Sequence, residues 1–149
     1  MSHRNHRNHR KPVQLCGFML SLNIIIMTDN EITYQIRGAI YDVYVALGPG
    51  LLESVYEEAL AFELIQRGLH IERQKSVPII YKGVELHSPL RLDILVENRV
   101  IVELKSVEEM KKVFGKQLLT YLRLMNLHVG ILVNYNTYNI FDSIERIIN

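Results

Sequence analysis

Apolar residues repeat along this chain with two periods. Between Asp29 and Leu47 they fall at Ile32, Ile36, Ile40, Val43 and Leu47, the spacing of one helix face. Thr28 and Glu31 stand at capping-box spacing ahead of that helix. Gly48-Pro49-Gly50 interrupts the pattern. A second helix is expected over about residues 51–67, with Gly68 as its C-terminal stop. The period then drops to two. Residues 70–74, 77–81, 84–87, 90–96 and 99–105 read as strands or short extended pieces, with turns at Lys82-Gly83 and Glu97-Asn98. A third helix is expected over about residues 107–125, capped by Asn126, before a strand over 128–134. Residues 136–149 show no decisive period. With no repeat of about 20–50 residues and no linker, this order predicts one α/β domain.

Ahead of these elements stands a segment of different character. His3-Arg4-Asn5, His6-Arg7-Asn8 and His9-Arg10-Lys11 repeat, and an apolar run from Val13 to Met27 follows. Basic then apolar is the order of a secretory signal, but Gln14, Ser21 and Asn23 interrupt the run and no small-residue cleavage site closes it. It is short for a membrane span, so no membrane association is expected. Three tail histidines bind metal weakly and without specificity. Residues 1–27 are therefore expected to be an extension upstream of the functional protein, with Met27 as its start and residues 28–149 as the domain.

Charge changes the picture in one respect. The chain carries 17 basic and 16 acidic residues, but four of the basic ones precede Thr28 and no acid does. The body is left with 13 against 16 and a net charge near −3. Any nucleic-acid contact must then be a local patch. The single cysteine, Cys16, excludes an intrachain disulfide framework and fits a cytoplasmic location.

The chemistry concentrates in residues 91–105, two apolar strands joined by a polar turn. Asp93, Glu103 and Lys105 interrupt the apolar pattern, and charges there are costly unless paired or bound to a metal. On a strand, Glu103 and Lys105 share one face with Ile101, while Val100, Val102 and Leu104 line the other. A two-residue turn at Glu97-Asn98 would pair Asp93 with Val102 and put Glu103 on the opposite face. A shared site therefore demands a three-residue loop around Asn98, or a bulge. These residues fit a Mg²⁺ site with a lysine beside it and a structural ion pair equally well. A second acid-x-lysine triplet, Glu109-Met110-Lys111, falls in the third predicted helix and reads as solvated surface. Glu53 and Tyr56, three apart on the second helix, read as a surface acid and a half-buried tyrosine. Gln117 and Tyr121 share a face of the third helix, and Lys111, Lys112 and Lys116 read as a solvated face. His70, His87 and His128 lack metal-ligand spacing.

Gly50-Leu-Leu-Glu53-Ser-Val-Tyr56 resembles the signature that names the GxxExxY proteins, members of the PD-(D/E)XK nuclease-like superfamily. The similarity runs from about Thr28 to Asn149. It takes in Tyr81-Lys-Gly83, Asp93, Val102-Glu-Leu-Lys-Ser106, Gln117-Leu-Leu-Thr-Tyr-Leu122 and Val129-Gly-Ile-Leu-Val-Asn134. The resemblance implies a single-domain, restriction-endonuclease-like α/β fold with a mixed central β-sheet flanked by helices. It implies that Asp93 and Glu103 bind Mg²⁺ or Mn²⁺, with the Leu104 carbonyl and Glu53 completing the ligands. Lys105 would orient the attacking water and steady the developing charge. Gln117 and Tyr121 look like the Gln-Tyr helix motif of RecB-like nucleases that borders the site. Relatives often carry His at the position of Phe114. The implied function is a metal-dependent nuclease acting on nucleic acid, DNA ahead of RNA. The alternative is a non-catalytic nucleic-acid-binding or regulatory module that kept the fold. Sheet edges and apolar helix faces leave room for a homodimer.

Overall fold

The computed structural model describes residues 26–87 and 90–149. Of the expected N-terminal extension, all but Ile26 and Met27 lies outside these residues. Helix α1 spans Asp29–Leu47 and α2 spans Glu53–Gln66. Strands β1 (Ile71–Ser76), β2 (Ile79–Tyr81), β3 (Val84–Leu86), β4 (Arg91–Val96) and β5 (Val100–Lys105) follow. Helix α3 (Lys112–Met125), β6 (Val129–Asn134), a 3-10 turn (Ile140–Ser143) and β7 (Ile144–Ile148) complete the chain.

Local signals set several boundaries. The Thr28 hydroxyl accepts the Glu31 N–H, and the Glu31 carboxylate accepts the Thr28 N–H at 2.7 Å, closing the capping box at α1. Gly68, at φ 78°, ends α2: its N–H donates to the Ile65 carbonyl while Leu69 N–H reaches Leu64. Asn126 caps α3 in the left-handed region.

The main sheet has the order β1-β4-β5-β6-β7. The β5–β6 pair is parallel and its other pairs are antiparallel, so the sheet is mixed. Strands β2 and β3 form a separate hairpin. Ile32, Ile36 and Ile40 of α1 and Leu60 and Leu64 of α2 pack with Ile94, Val96, Val102, Leu104 and Ile131. Leu118, Tyr121 and Leu122 of α3 pack with Leu95, Ile101 and Leu132 on the other face. Central β5 and β6 are covered on both sides, which is why their sequences are nearly continuous in Val, Ile and Leu. The domain is a single α/β fold with helices flanking a mixed sheet.

Three expectations shift. Helix α2 begins at Glu53 rather than residue 51. Helix α3 begins at Lys112 rather than residue 107, because Asn134 clamps Val107: Oδ1 accepts its N–H (3.0 Å) and Nδ2 donates to its carbonyl (2.9 Å). Glu109-Met110-Lys111 consequently lies in an exposed loop, not on a helix. The undecided tail forms β7, an edge strand antiparallel to β6. Among the described residues, no helix is long and apolar enough to cross a membrane.

Candidate functional site

The β4–β5 hairpin has the register that a shared site requires. Ile94 pairs with Val102, Leu95 with Ile101 and Val96 with Val100, leaving Glu97-Asn98-Arg99 as a three-residue loop. Glu97 and Asn98 both adopt left-handed φ (52° and 53°), and Arg99 N–H donates back to the Val96 carbonyl at 3.0 Å. One step beyond Ile94↔Val102, Asp93 faces Glu103. There side chains replace the ladder: Asp93 N–H donates to Glu103 Oε1 (3.3 Å), and Leu104 N–H donates to Asp93 Oδ2 (2.8 Å).

Two carboxyl groups in contact inside a protein resist holding two charges. Burial first, and then the charge on Asp93, push the Glu103 carboxyl up to about 8. Burial also raises Asp93, opposed by the Leu104 N–H and the Lys105 ammonium. The pair is therefore disposed to retain one shared proton near neutral pH. Neither acid enters a salt bridge among the described residues; Lys105 pairs instead with Glu53, at 3.9 Å. Lys105 thus makes its salt bridge with Glu53 and acts on the two strand acids through its nearby charge. Oxygen donors of this kind suit a hard divalent cation. Among the described residues, no group of three or more His, Cys, Asp or Glu side chains forms a ready-made metal cluster.

Glu53 reaches this end of the sheet because the loop before α2 is tied down twice. The Tyr56 hydroxyl donates to the Gly48 carbonyl (2.5 Å) and accepts the Leu51 N–H (3.1 Å). The Ser106 hydroxyl, one residue past Lys105, donates to the Leu51 carbonyl (2.5 Å). Gly50 lies at φ 96°, a conformation that suits glycine. Gly50, Glu53 and Tyr56 thus form one device: a turn, the acid it presents and the hydroxyl that holds the turn. Tyr56 is fully buried rather than half-buried, and stacks on Tyr135 with ring centroids 4.3 Å apart. Burial raises the Glu53 carboxyl, with Lys105 opposing and the charges of Asp93 and Glu57 adding.

Helix α3 covers the face that carries Ile101, Glu103 and Lys105. The Phe114 ring lies under the Lys105 ammonium, 5.2 Å from Nζ to centroid, a cation–π contact. Gln117 Nε2 donates to the Tyr121 hydroxyl (2.5 Å), and among the described residues no hydrogen bond joins either side chain to the acids. Lys111, Lys112 and Lys116 are exposed.

Sequence reasoning missed Glu57. It is 7% exposed, and its carboxylate accepts from Arg73 Nε (2.9 Å) and Gln74 Nε2 (2.7 Å). Its one sequence signal was its place four residues after Glu53, on the same helix face.

No curated protein and no solved structure matches the chain significantly. A family model described as the PD-(D/E)XK nuclease superfamily matches residues 30–147, which takes in α1, the loop before α2, the β4–β5 hairpin and α3. With nearly the whole described fold inside that match, the chain belongs to the PD-(D/E)XK nuclease superfamily.

Proposed function

We propose that this chain is a metal-dependent nuclease of the GxxExxY type, hydrolysing phosphodiester bonds of nucleic acid, DNA ahead of RNA. The observation that carries the reading is the meeting of a half-buried Asp93 and a buried Glu103 as a carboxyl pair beside Lys105, with neither acid in a salt bridge among the described residues. Asp93 and Glu103 would hold Mg²⁺ or Mn²⁺, with the Leu104 carbonyl and Glu53 as further oxygens. Bound there, the ion supplies Lewis-acid stabilisation of the phosphate and acidifies the attacking water. Lys105 orients that water and offsets charge developing on the phosphorus oxygens. Glu53 holds the ammonium in place from α2, and Gln117 and Tyr121 border the site on α3.

One observation favours a second reading, a non-catalytic nucleic-acid-binding or regulatory module: an apolar ring, Phe114, sits against Lys105. Cleavage of single- and double-stranded DNA and RNA in Mg²⁺, Mn²⁺ and EDTA, beside Lys105→Ala, separates the two. Metal-dependent cutting that disappears in a cooperatively folded Lys105→Ala protein supports the nuclease. Undiminished cutting by that variant removes Lys105 from the mechanism. No cutting on any substrate, with no thermal shift from either ion, favours the module.

A further inference from the structure

Strand β1 carries an irregularity at the level of the acid pair. Gln74 lies mid-strand at φ 49°, a left-handed conformation costly for a residue with a side chain. Its consequence is visible in the side chains. Neighbouring residues on a strand point to opposite faces, yet Arg73 and Gln74 both reach the Glu57 carboxylate. The ladder registers the same break. β1 pairs with β4 at Arg73↔Ile94 and Lys75↔Leu92, while Gln74 and Asp93 between them are unpaired. Asp93 also lies beyond the last β4–β5 pair, Ile94↔Val102. On β4 the alternation slips at this point, since Leu92 and Leu95 pack in the same cluster beneath α3. Asp93 is thus released from both neighbouring strands and held by its bonds to Glu103 and Leu104.

We propose that Glu57 and Gln74 are positioning residues of the site. The buried Glu57 carboxylate anchors the bend at Gln74, and the bend frees Asp93 from the ladder to face Glu103. Glu57 does not touch the reacting atoms; it acts through Gln74 on the backbone beside Asp93. The consequence for metal binding rests on the nuclease reading, whereas the effect on Asp93 does not.

Two variants test this. Gln74→Gly keeps a residue at ease with positive φ but removes the anchor; Glu57→Gln keeps the volume but weakens the hold. Amide hydrogen exchange followed by NMR in EDTA is the metal-independent readout. The expected result is about tenfold faster exchange at the Asp93 and Leu104 amides, with Ile131 and Leu132 on β6 keeping their protection. Unchanged exchange at Asp93 and Leu104 overturns the proposal, as does an acceleration spread evenly over the sheet. Mn²⁺ titration of the same proteins gives the second readout, with affinity expected to weaken roughly tenfold or more, as for other residues that orient ligands. A variant that loses melting temperature but keeps wild-type Mn²⁺ affinity marks a merely structural role and overturns the functional half. If the wild type neither binds Mn²⁺ nor cuts, the nuclease reading falls, and the exchange pattern still decides the role of Glu57 and Gln74.

Discussion

Replacing Glu103 by Gln separates the electrical cost of the acid pair from its hydrogen bonds. The amide keeps an oxygen to accept the Asp93 N–H, and its NH₂ can donate to the Asp93 carboxylate. In the folded wild type Glu103 holds its proton up to about pH 8, whereas an unfolded glutamate releases it near 4.5. Between those values the folded state binds the extra proton, so the metal-free protein loses stability as pH rises. One such proton contributes a slope of ~1.4 kcal/mol per pH unit. At roughly 4 °C per kcal/mol for a domain of this size, the melting temperature falls by on the order of 5 °C per pH unit. Burial shifts Asp93 and Glu53 in the same direction, so both steepen the fall. Glu103→Gln is expected to flatten the slope and to melt above the wild type at the alkaline end of the window. Scanning calorimetry in EDTA across the window measures both. A flat wild-type profile, or a variant less stable than the wild type at alkaline pH, refutes the shared proton. If the pair holds Mg²⁺ as proposed, the ion would displace that proton, and its stabilising effect on the wild type is expected to grow with pH over the same range.

Tyr56→Phe strips the partner from both the Gly48 carbonyl and the Leu51 N–H, and is expected to cost about 1–3 kcal/mol in denaturant unfolding. On the nuclease reading, cleavage is expected to fall as well, because Glu53 loses its fixed approach; an unchanged midpoint would count against the tethered loop. Gly130→Ala would bring a Cβ within 2.8 Å of Leu118 Cδ1 and is expected to cost about 1–3 kcal/mol by overpacking, read from the urea midpoint. A neutral result would mean that α3 does not press on β6 this closely.

Where local chemistry decides structure, the sequence was readable. Thr28 and Glu31 announce α1, Asn126 ends α3, and the demand that Asp93 face Glu103 calls for a three-residue loop or a bulge, of which the hairpin has the loop. The misses have a common cause in contacts distant along the chain. Nothing in residues 107–111 says that Asn134 will clamp Val107 and delay α3. β7 exists because β6 offers it an edge. Glu57 looks like one more surface acid beside Glu58; its burial depends on Arg73 and Gln74, and Gln74 gives no sign of a left-handed backbone. The placing of Glu53 was only half legible: its helix face could be read, but not the hydroxyls of Tyr56 and Ser106 that hold its loop.

Surface loops are ordinarily where a protein family drifts in length without harm. Glu97-Asn98-Arg99 is an exception with a long reach. It sits four residues from Asp93 on one side and four from Glu103 on the other, roughly 13 Å away along each strand. Deleting Asn98 alone would leave every acid and the lysine in the sequence, and a motif search would still report an intact site. The hairpin would nevertheless have to re-pair with its two acids on opposite faces, or break its apolar register to keep them together. Among relatives of this chain, the length of that turn should therefore forecast activity better than the presence of the acids themselves.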